Sequence, residues 1–189
     1  MNTDSEMHRD LESVLINEDQ LQQRIRELGA EIGRDYAGKT PVVVGIMKGS
    51  ALFLADLVKA IPIHLTLDFM GISSYSGGTQ STGVVRITKD LEETIEGRHV
   101  LIAEDIIDTG LTLNYLTKTL KQRNPASLKI CTLLNKQARR LMEVEDVGYR
   151  GFEIDDHFVV GYGLDYMQKF RNLPCIGILK PEVYQKFGV

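Results

Sequence analysis

"HVLIAEDIIDTGLTLNYL", His99 to Leu116, decides the reading of this chain. Val100 to Ala103 have the apolar character of a buried strand. They run into two adjacent acids, Glu104 and Asp105, before Ile106 and Ile107 pin the chain back onto the protein. Asp108-Thr109-Gly110-Leu111-Thr112 then leads into a helix expected over Thr109 to Gln122, with Leu113, Leu116 and Leu120 on one face. Charged groups are costly to bury, so a buried strand that runs into paired carboxylates needs a reason.

The surrounding sequence repeats the strand-then-helix pattern. "PVVVGIM" (Pro41 to Met47) reads as a buried strand and "SALFLADLVKAI" (Ser50 to Ile61) as a helix. "IHLTLDFM" (Ile63 to Met70), "LKICTLL" (Leu128 to Leu134), "FVVGY" and "CIGIL" read as further strands. An earlier helix starts at Asn17, a good cap, with Glu18 and Asp19 in its first turn and Leu21, Ile25, Leu28 and Ile32 at helical spacing. Apolar strands alternating with helices predict an α/β fold with a mostly parallel sheet covered on both faces. In such sheets ligands bind beyond the carboxyl ends of the strands. The acids of the opening stretch stand at such an end.

The 189 residues suit a single domain over 1–189, with residues 1–17 as a loose polar lead-in. Gly71 to Gly97 is long, rich in Gly, Ser and Thr, and reads as a flexible lid. The net charge of −4 argues against a nucleic-acid partner. No apolar run reaches the ~18 residues of a membrane span, and the polar N-terminus does not resemble a signal peptide. Cys131 and Cys175 lie in apolar runs without metal-ligand spacing, as buried thiols of a reducing compartment would. The expected location is the cytoplasm. The four histidines form no cluster.

"GRDYAGKT", Gly33 to Thr40, matches the phosphate-loop pattern GxxxxGK[ST]. That loop works only between a preceding strand and a following helix, whose N-terminus faces the phosphates. Here a helix precedes it and a strand follows, so it reads as a helix-ending turn.

The opening stretch has the required order. Gly110 lets the backbone bend, and the amides of the first helical turn, with the hydroxyls of Thr109 and Thr112, can cradle a phosphate monoester. Glu104 and Asp105 can accept hydrogen bonds from vicinal hydroxyls or hold Mg²⁺, directly or through water. A phosphate cradle beside a diol acceptor describes a sugar phosphate site. The bland alternative is a helix capped by Asp108 or Thr109 after two solvated acids.

"VLIAEDIIDTGLT" resembles the phosphoribosyl-pyrophosphate signature of the purine phosphoribosyltransferases, most closely the hypoxanthine-guanine branch. "GIMKGS", "LLNK" and "GFEIDDHFVVGYGLDYMQKFRNLP" resemble that family's pyrophosphate loop, purine-oxygen contact and base- and metal-binding segment, in the family's order from about Val42 to Pro174. The resemblance implies the type I phosphoribosyltransferase fold, with a small hood to which residues 150–189 contribute. It implies transfer of a phosphoribosyl group from 5-phosphoribosyl 1-pyrophosphate to hypoxanthine or guanine in purine salvage, giving IMP or GMP and pyrophosphate. Self-association as a homodimer or homotetramer is implied as well.

Roles follow for individual residues. Asp108, near the purine N7, is the candidate for general acid-base exchange. Lys48 and Gly49 would hold pyrophosphate beside an unusual cis peptide before the lysine. Glu104, Asp105 and Asp165 would hold Mg²⁺, and Asp108, Thr109, Gly110, Leu111 and Thr112 the 5′-phosphate. Leu111 stands where some relatives carry lysine. Lys136 offers donors only, which suits a 6-oxo acceptor and not the amino group of adenine. Phe158 would stack on the base, Val159 would offer backbone groups to its edge, and Arg171 would bind pyrophosphate. Ser74 and Tyr75 match the mobile lid. Two alternatives remain open on sequence alone: a non-catalytic sensor of phosphoribosyl pyrophosphate with this fold, and an enzyme preferring xanthine.

Overall fold

The computed structural model describes residues 6–74 and 85–184. In chain order its elements are α1 (Glu6–Arg9), β1 (Leu11–Ile16), α2 (Glu18–Asp35), β2 (Val42–Met47), α3 (Ala51–Ala60), β3 (Thr66–Ser74), β4 (Val85–Lys89), β5 (His99–Ile107), α4 (Leu111–Lys121), β6 (Ser127–Asn135), β7 (Val147–Glu153), β8 (Val159–Val160), β9 (Ile176–Leu179) and α5 (Pro181–Tyr184). Six strands form the main sheet in the order β4-β3-β2-β5-β6-β7. All its neighbours are parallel except the β3–β4 pair. The fold is therefore α/β with a mostly parallel sheet, as the alternation predicts.

Both faces of this sheet are buried, which explains the near-continuous apolar strands. On one face Val43, Leu101, Ala103, Cys131 and Leu133 pack with Leu21, Ile25, Leu28 and Ile32 of α2 and Phe53, Leu54 and Leu57 of α3. On the other, Val42, Val44, Val100, Ile102 and Ile130 pack with Leu113, Leu116 and Leu120 of α4. Asn17 caps α2 through a reciprocal pair. Its side chain accepts from the Gln20 amide, and its own amide donates to the Gln20 side chain, each at 2.9 Å. The "GRDYAGKT" stretch ends α2 and turns into β2, and Lys39 donates to the Asp35 carbonyl at 3.2 Å.

Three expectations need correction. Residues 11–16 are not part of a loose lead-in. They form β1, which pairs antiparallel with β9 in a second, three-stranded sheet of order β1-β9-β8. Only Leu11 and Ile16 of this strand are buried, so it carries no clean alternation, and its partner lies at the far end of the sequence. Residues 150–153 lie in β7, an edge of the main sheet, and the hood sheet itself takes β1, β8 and β9. The expected lid is also narrower than 71–97. Gly71 to Ser74 pair with Val85 to Lys89, and Ile72, Ile87, Leu91 and Ile95 pack on the α4 side of the core. Tyr75 lies outside the described residues. Among the described residues no helix is long and apolar enough to cross a membrane. Both cysteines are free and buried.

Replacing Asn17 with alanine removes the arm in which its side chain accepts from the Gln20 amide and leaves the backbone arm to Gln20 in place. The unfolding free energy, measured by urea titration, should fall by about 1 kcal/mol.

Candidate functional site

β5 does not stop at its acids. It continues through Ile107, with ladder pairs to β6 from His99↔Ser127 to Ile107↔Asn135. The expectation that Glu104 and Asp105 leave the core at the strand end is corrected accordingly: both sit within the strand. Strand alternation sends them to opposite faces. Asp105 faces the loop after β2, where a side-chain carbon on Gly49 would come within 1.8 Å of its Oδ2. Only glycine lets that loop approach so closely. Glu104 lines a cavity of about 130 Å³ together with Ile106 to Gly110, Thr112 and Leu113.

Burial shapes both acids. Desolvation, reinforced by the neighbouring Asp105 charge, pushes Glu104 well above the ordinary carboxylate range. Desolvation also raises Asp105, to about 6, against hydrogen bonds from the backbone and the nearby Arg171 charge. Glu104 Oε2 is shut off from solvent without a hydrogen-bond partner, as are Asp108 Oδ1, Arg140 Nε and Arg171 Nε. Buried polar atoms are rarely left unsatisfied, and Glu104 Oε2 and Asp108 Oδ1 share the cavity at the start of α4, where a ligand could meet them.

The helix that follows is built differently from α2. Its N-cap is Gly110, at φ 82° in the left-handed region, with no side-chain cap and no acid in the first turn. Thr109 Oγ1 accepts from the Leu111 amide only at a long 3.5 Å. The positive end of α4 therefore opens onto the cavity that holds Glu104, Asp108 and Thr112. The segment after β6 clasps this turn. Leu141 and Met142 donate to the Thr109 carbonyl at 3.0 and 3.1 Å, and a side-chain carbon on Gly110 would strike the Met142 carbonyl.

Two further groups converge on the same edge of the sheet. A cavity of about 580 Å³ is lined by Lys48, Gly71 to Ser73, Asp165, Gln168 and Arg171, among others. Arg171 pairs with Asp165 at 2.6 Å and donates to the Gly163 carbonyl at 2.6 Å. The peptide between Met47 and Lys48 is cis. Beyond β6, Lys136 is 5% exposed, donates to the His157 carbonyl at 2.8 Å and lies 3.5 Å from Asp156. Arg139 stands between Asp156, at 3.8 Å, and Asp108, at 3.9 Å. Phe158 is half-buried in the hood, its ring near-parallel to Tyr184 at 4.9 Å and edge-on to Tyr166 at 5.7 Å. A base stacking on Phe158 must use the face that Tyr184 leaves. Val159, in β8, is buried. Ser74 ends β3.

Sequence reasoning missed Arg139, Asp156 and Gln168. The "QARR" and "DDH" stretches carry a charge signal, but only the fold brings them face to face. Gln168 carries none. Among the described residues no three His, Cys, Asp or Glu side chains come together as a complete metal site. Asp105 and Asp165 feel one another's charge, which fits a partly hydrated Mg²⁺ that shares them with ligand oxygens, whereas Glu104 lies on the other face of β5 in the α4 cavity.

An uncapped helix N-terminus, buried acids and a basic cavity at the carboxyl edge of a parallel sheet define a site for a phosphorylated, hydroxyl-bearing anion. The chain belongs to the phosphoribosyl transferase domain family, whose model matches residues 16–167. It is 55% identical over 178 residues to the hypoxanthine-guanine phosphoribosyltransferase of Staphylococcus aureus, covering 94% of this chain and 99% of that one. It is 53% identical over 180 residues to the bifunctional protein TilS/HprT of Listeria monocytogenes, covering 95% of this chain but only 28% of that longer protein. The crystal structure of a hypoxanthine phosphoribosyltransferase from Staphylococcus aureus superposes with a TM-score of 0.92 at 54% identity, covering 97% of this chain and 99% of that one.

The raised proton affinity of Asp105 has a measurable sign. The folded protein binds this proton more tightly than the unfolded chain, where the group titrates near its ordinary value of about 3.9. Stability from this group is thus present below pH ~4 and is lost as pH rises through about 6. In metal-free, ligand-free buffer, Asp105→Asn should therefore raise the melting temperature near pH ~7.5, and the gain should shrink toward pH ~4.

Proposed function

We propose that this protein transfers the phosphoribosyl group of 5-phosphoribosyl 1-pyrophosphate to N9 of hypoxanthine or guanine, releasing pyrophosphate and forming IMP or GMP in purine salvage. The observation that carries this reading is the convergence at one sheet edge of the open α4 N-terminus and the Lys48–Arg171 cavity, with Lys136 beside Asp108's partner Arg139.

The 5′-phosphate takes the first-turn amides of α4 and the hydroxyls of Thr109 and Thr112, with Gly110 giving the backbone its close approach. The backbone cradle uses no side chain at Leu111. Glu104 and Asp105 accept the ribose hydroxyls, which exchanges an unpartnered buried oxygen for a hydrogen-bonded one. Lys48, the Gly49 amide and Arg171 hold the pyrophosphate and stabilise the charge that grows on it as the C1′–O bond breaks. Mg²⁺ on the Asp105 and Asp165 side would supply further neutralisation of that leaving group, and a second ion would be needed to engage Glu104.

At the base, Lys136 has two of its donor directions turned toward His157 and Asp156 and keeps another for the 6-oxo group. An adenine would set its amino group against this cation. Phe158 supports the ring by stacking, and Val159 offers its backbone at the edge. As the C1′–N9 bond forms, the purine loses a proton, and Asp108 accepts it at N7. Ser74, at the end of β3, leads into the segment that the resemblance makes the lid, with Tyr75, which would keep water from the cationic sugar. A homodimer or homotetramer, and a cytoplasmic location consistent with two unoxidised thiols, complete the reading.

With Mg²⁺ and 5-phosphoribosyl 1-pyrophosphate, absorbance assays should show turnover of hypoxanthine and guanine and none of adenine. The rate with xanthine measures selectivity at the 2-position. Turnover of adenine alone would overturn the role of Lys136. Asp108→Asn should bind phosphoribosyl pyrophosphate yet lose about 10²-fold or more in kcat. Near-normal turnover would remove Asp108 from proton transfer.

A further inference from the structure

We propose that Gln168 is a positioning residue for the leaving pyrophosphate, a neutral placeholder that holds Lys48 and Arg171 until ligand oxygens replace it. The proposal rests on the assignment of Lys48 and Arg171 to pyrophosphate made above.

Gln168 follows Asp165 in a turn where Met167 and Gln168 both take left-handed backbone angles, φ 52° and 63°. Its amide N–H is anchored to Asp165 Oδ2 at 2.8 Å. The side chain then faces both signs of charge. Oε1 accepts from Lys48 Nζ at 3.4 Å and from Arg171 Nη2 at 3.5 Å, while Nε2 donates to Asp165 Oδ2 at 3.4 Å. A carboxamide is the side chain that can meet two cations with one end and a carboxylate with the other. All three contacts are long and solvent-exposed, hence weak. A pyrophosphate oxygen offers the same two cations shorter, charge-assisted bonds and displaces the amide readily. Gln168 lines the same large cavity as Lys48, Asp165 and Arg171, where such an exchange would occur.

Charge at this position decides the outcome. A carboxylate would turn two weak hydrogen bonds into ion pairs, hold the cations against the ligand and face Asp165 with like charge. An apolar side chain would only release the cations, leaving the ligand to order them itself. The two substitutions are therefore unequal, whereas for a residue that only supports the turn the apolar change would do the greater harm.

Steady-state kinetics of Gln168→Glu, Gln168→Met and Lys48→Met, at saturating Mg²⁺ and over a series of KCl concentrations, test this. Gln168→Glu should raise KM for 5-phosphoribosyl 1-pyrophosphate and the inhibition constant of pyrophosphate by about three- to tenfold at low salt, with the effect shrinking as salt is added. Gln168→Met should raise that KM by only about two- to threefold, without marked salt dependence. In both, KM for hypoxanthine should move by less than about twofold. A Gln168→Glu enzyme with parental KM, a salt-independent effect, or equal impairment by Gln168→Met would each overturn the proposal. Lys48→Met separates the two layers. If it too leaves the phosphoribosyl pyrophosphate KM unchanged, the pyrophosphate assignment falls and the placeholder with it. If it raises that KM while Gln168→Glu is silent, the placeholder alone falls.

Discussion

The backbone ladder on both sides of β5 is the constraint on which the site depends. β5 pairs with β2 from Val42↔Val100 to Gly45↔Ala103 and with β6 along its whole length. A strand held on both edges and packed on both faces cannot slide. A slip of one residue would exchange the faces of Glu104 and Asp105 and move Gly110 from its turn. The same ladder delivers Lys136, since its amide donates to the Ile107 carbonyl at 2.9 Å where β6 ends. The acids Glu104 and Asp105, the Gly110 turn and Lys136 are thus all indexed to one strand.

Two helix starts show how stability and function divide the molecule. α2 opens with a reciprocal cap and two acids, every cue for a helix that should simply form. α4 opens with a left-handed glycine, no side-chain cap and no acid. Its first turn is stabilised from outside, by the 141–142 amides on the Thr109 carbonyl, so its own positive end remains available. The buried oxygens of Glu104 and Asp108 that accept no hydrogen bond belong to the same division. They are tolerable because the two-sided core around β5 holds the backbone in place regardless.

Much of this was legible in the sequence. The parallel sheet follows from runs such as Val42 to Met47, which are apolar at every position because both faces are covered. The turn into α4 follows from the order strand, glycine, helix, and the same logic rejects "GRDYAGKT". Most roles beyond that turn came from family resemblance. What escaped depends on distance along the chain. β1 buries two residues of six and becomes a strand only through β9, whose residues lie at the other end of the sequence. Arg139 and Asp156 lie seventeen positions apart (156 − 139), and Gln168 reaches Lys48 across 120. The continuation of β5 past its acids was hidden because the acids read as an ending.

The pairing of β1 with β9 has a consequence for how the protein comes into being. β8, which carries Val159 and follows directly on Phe158, pairs among the described residues with β9 alone, and β9 is flanked on its other edge by β1. During synthesis the main sheet can assemble strand by strand behind the advancing ribosome, but β1 must wait, its edge unsatisfied, until Ile176 to Leu179 emerge. The sheet that carries Val159 is thus the last part of the molecule to close, after the turn from β5 into α4 has already formed.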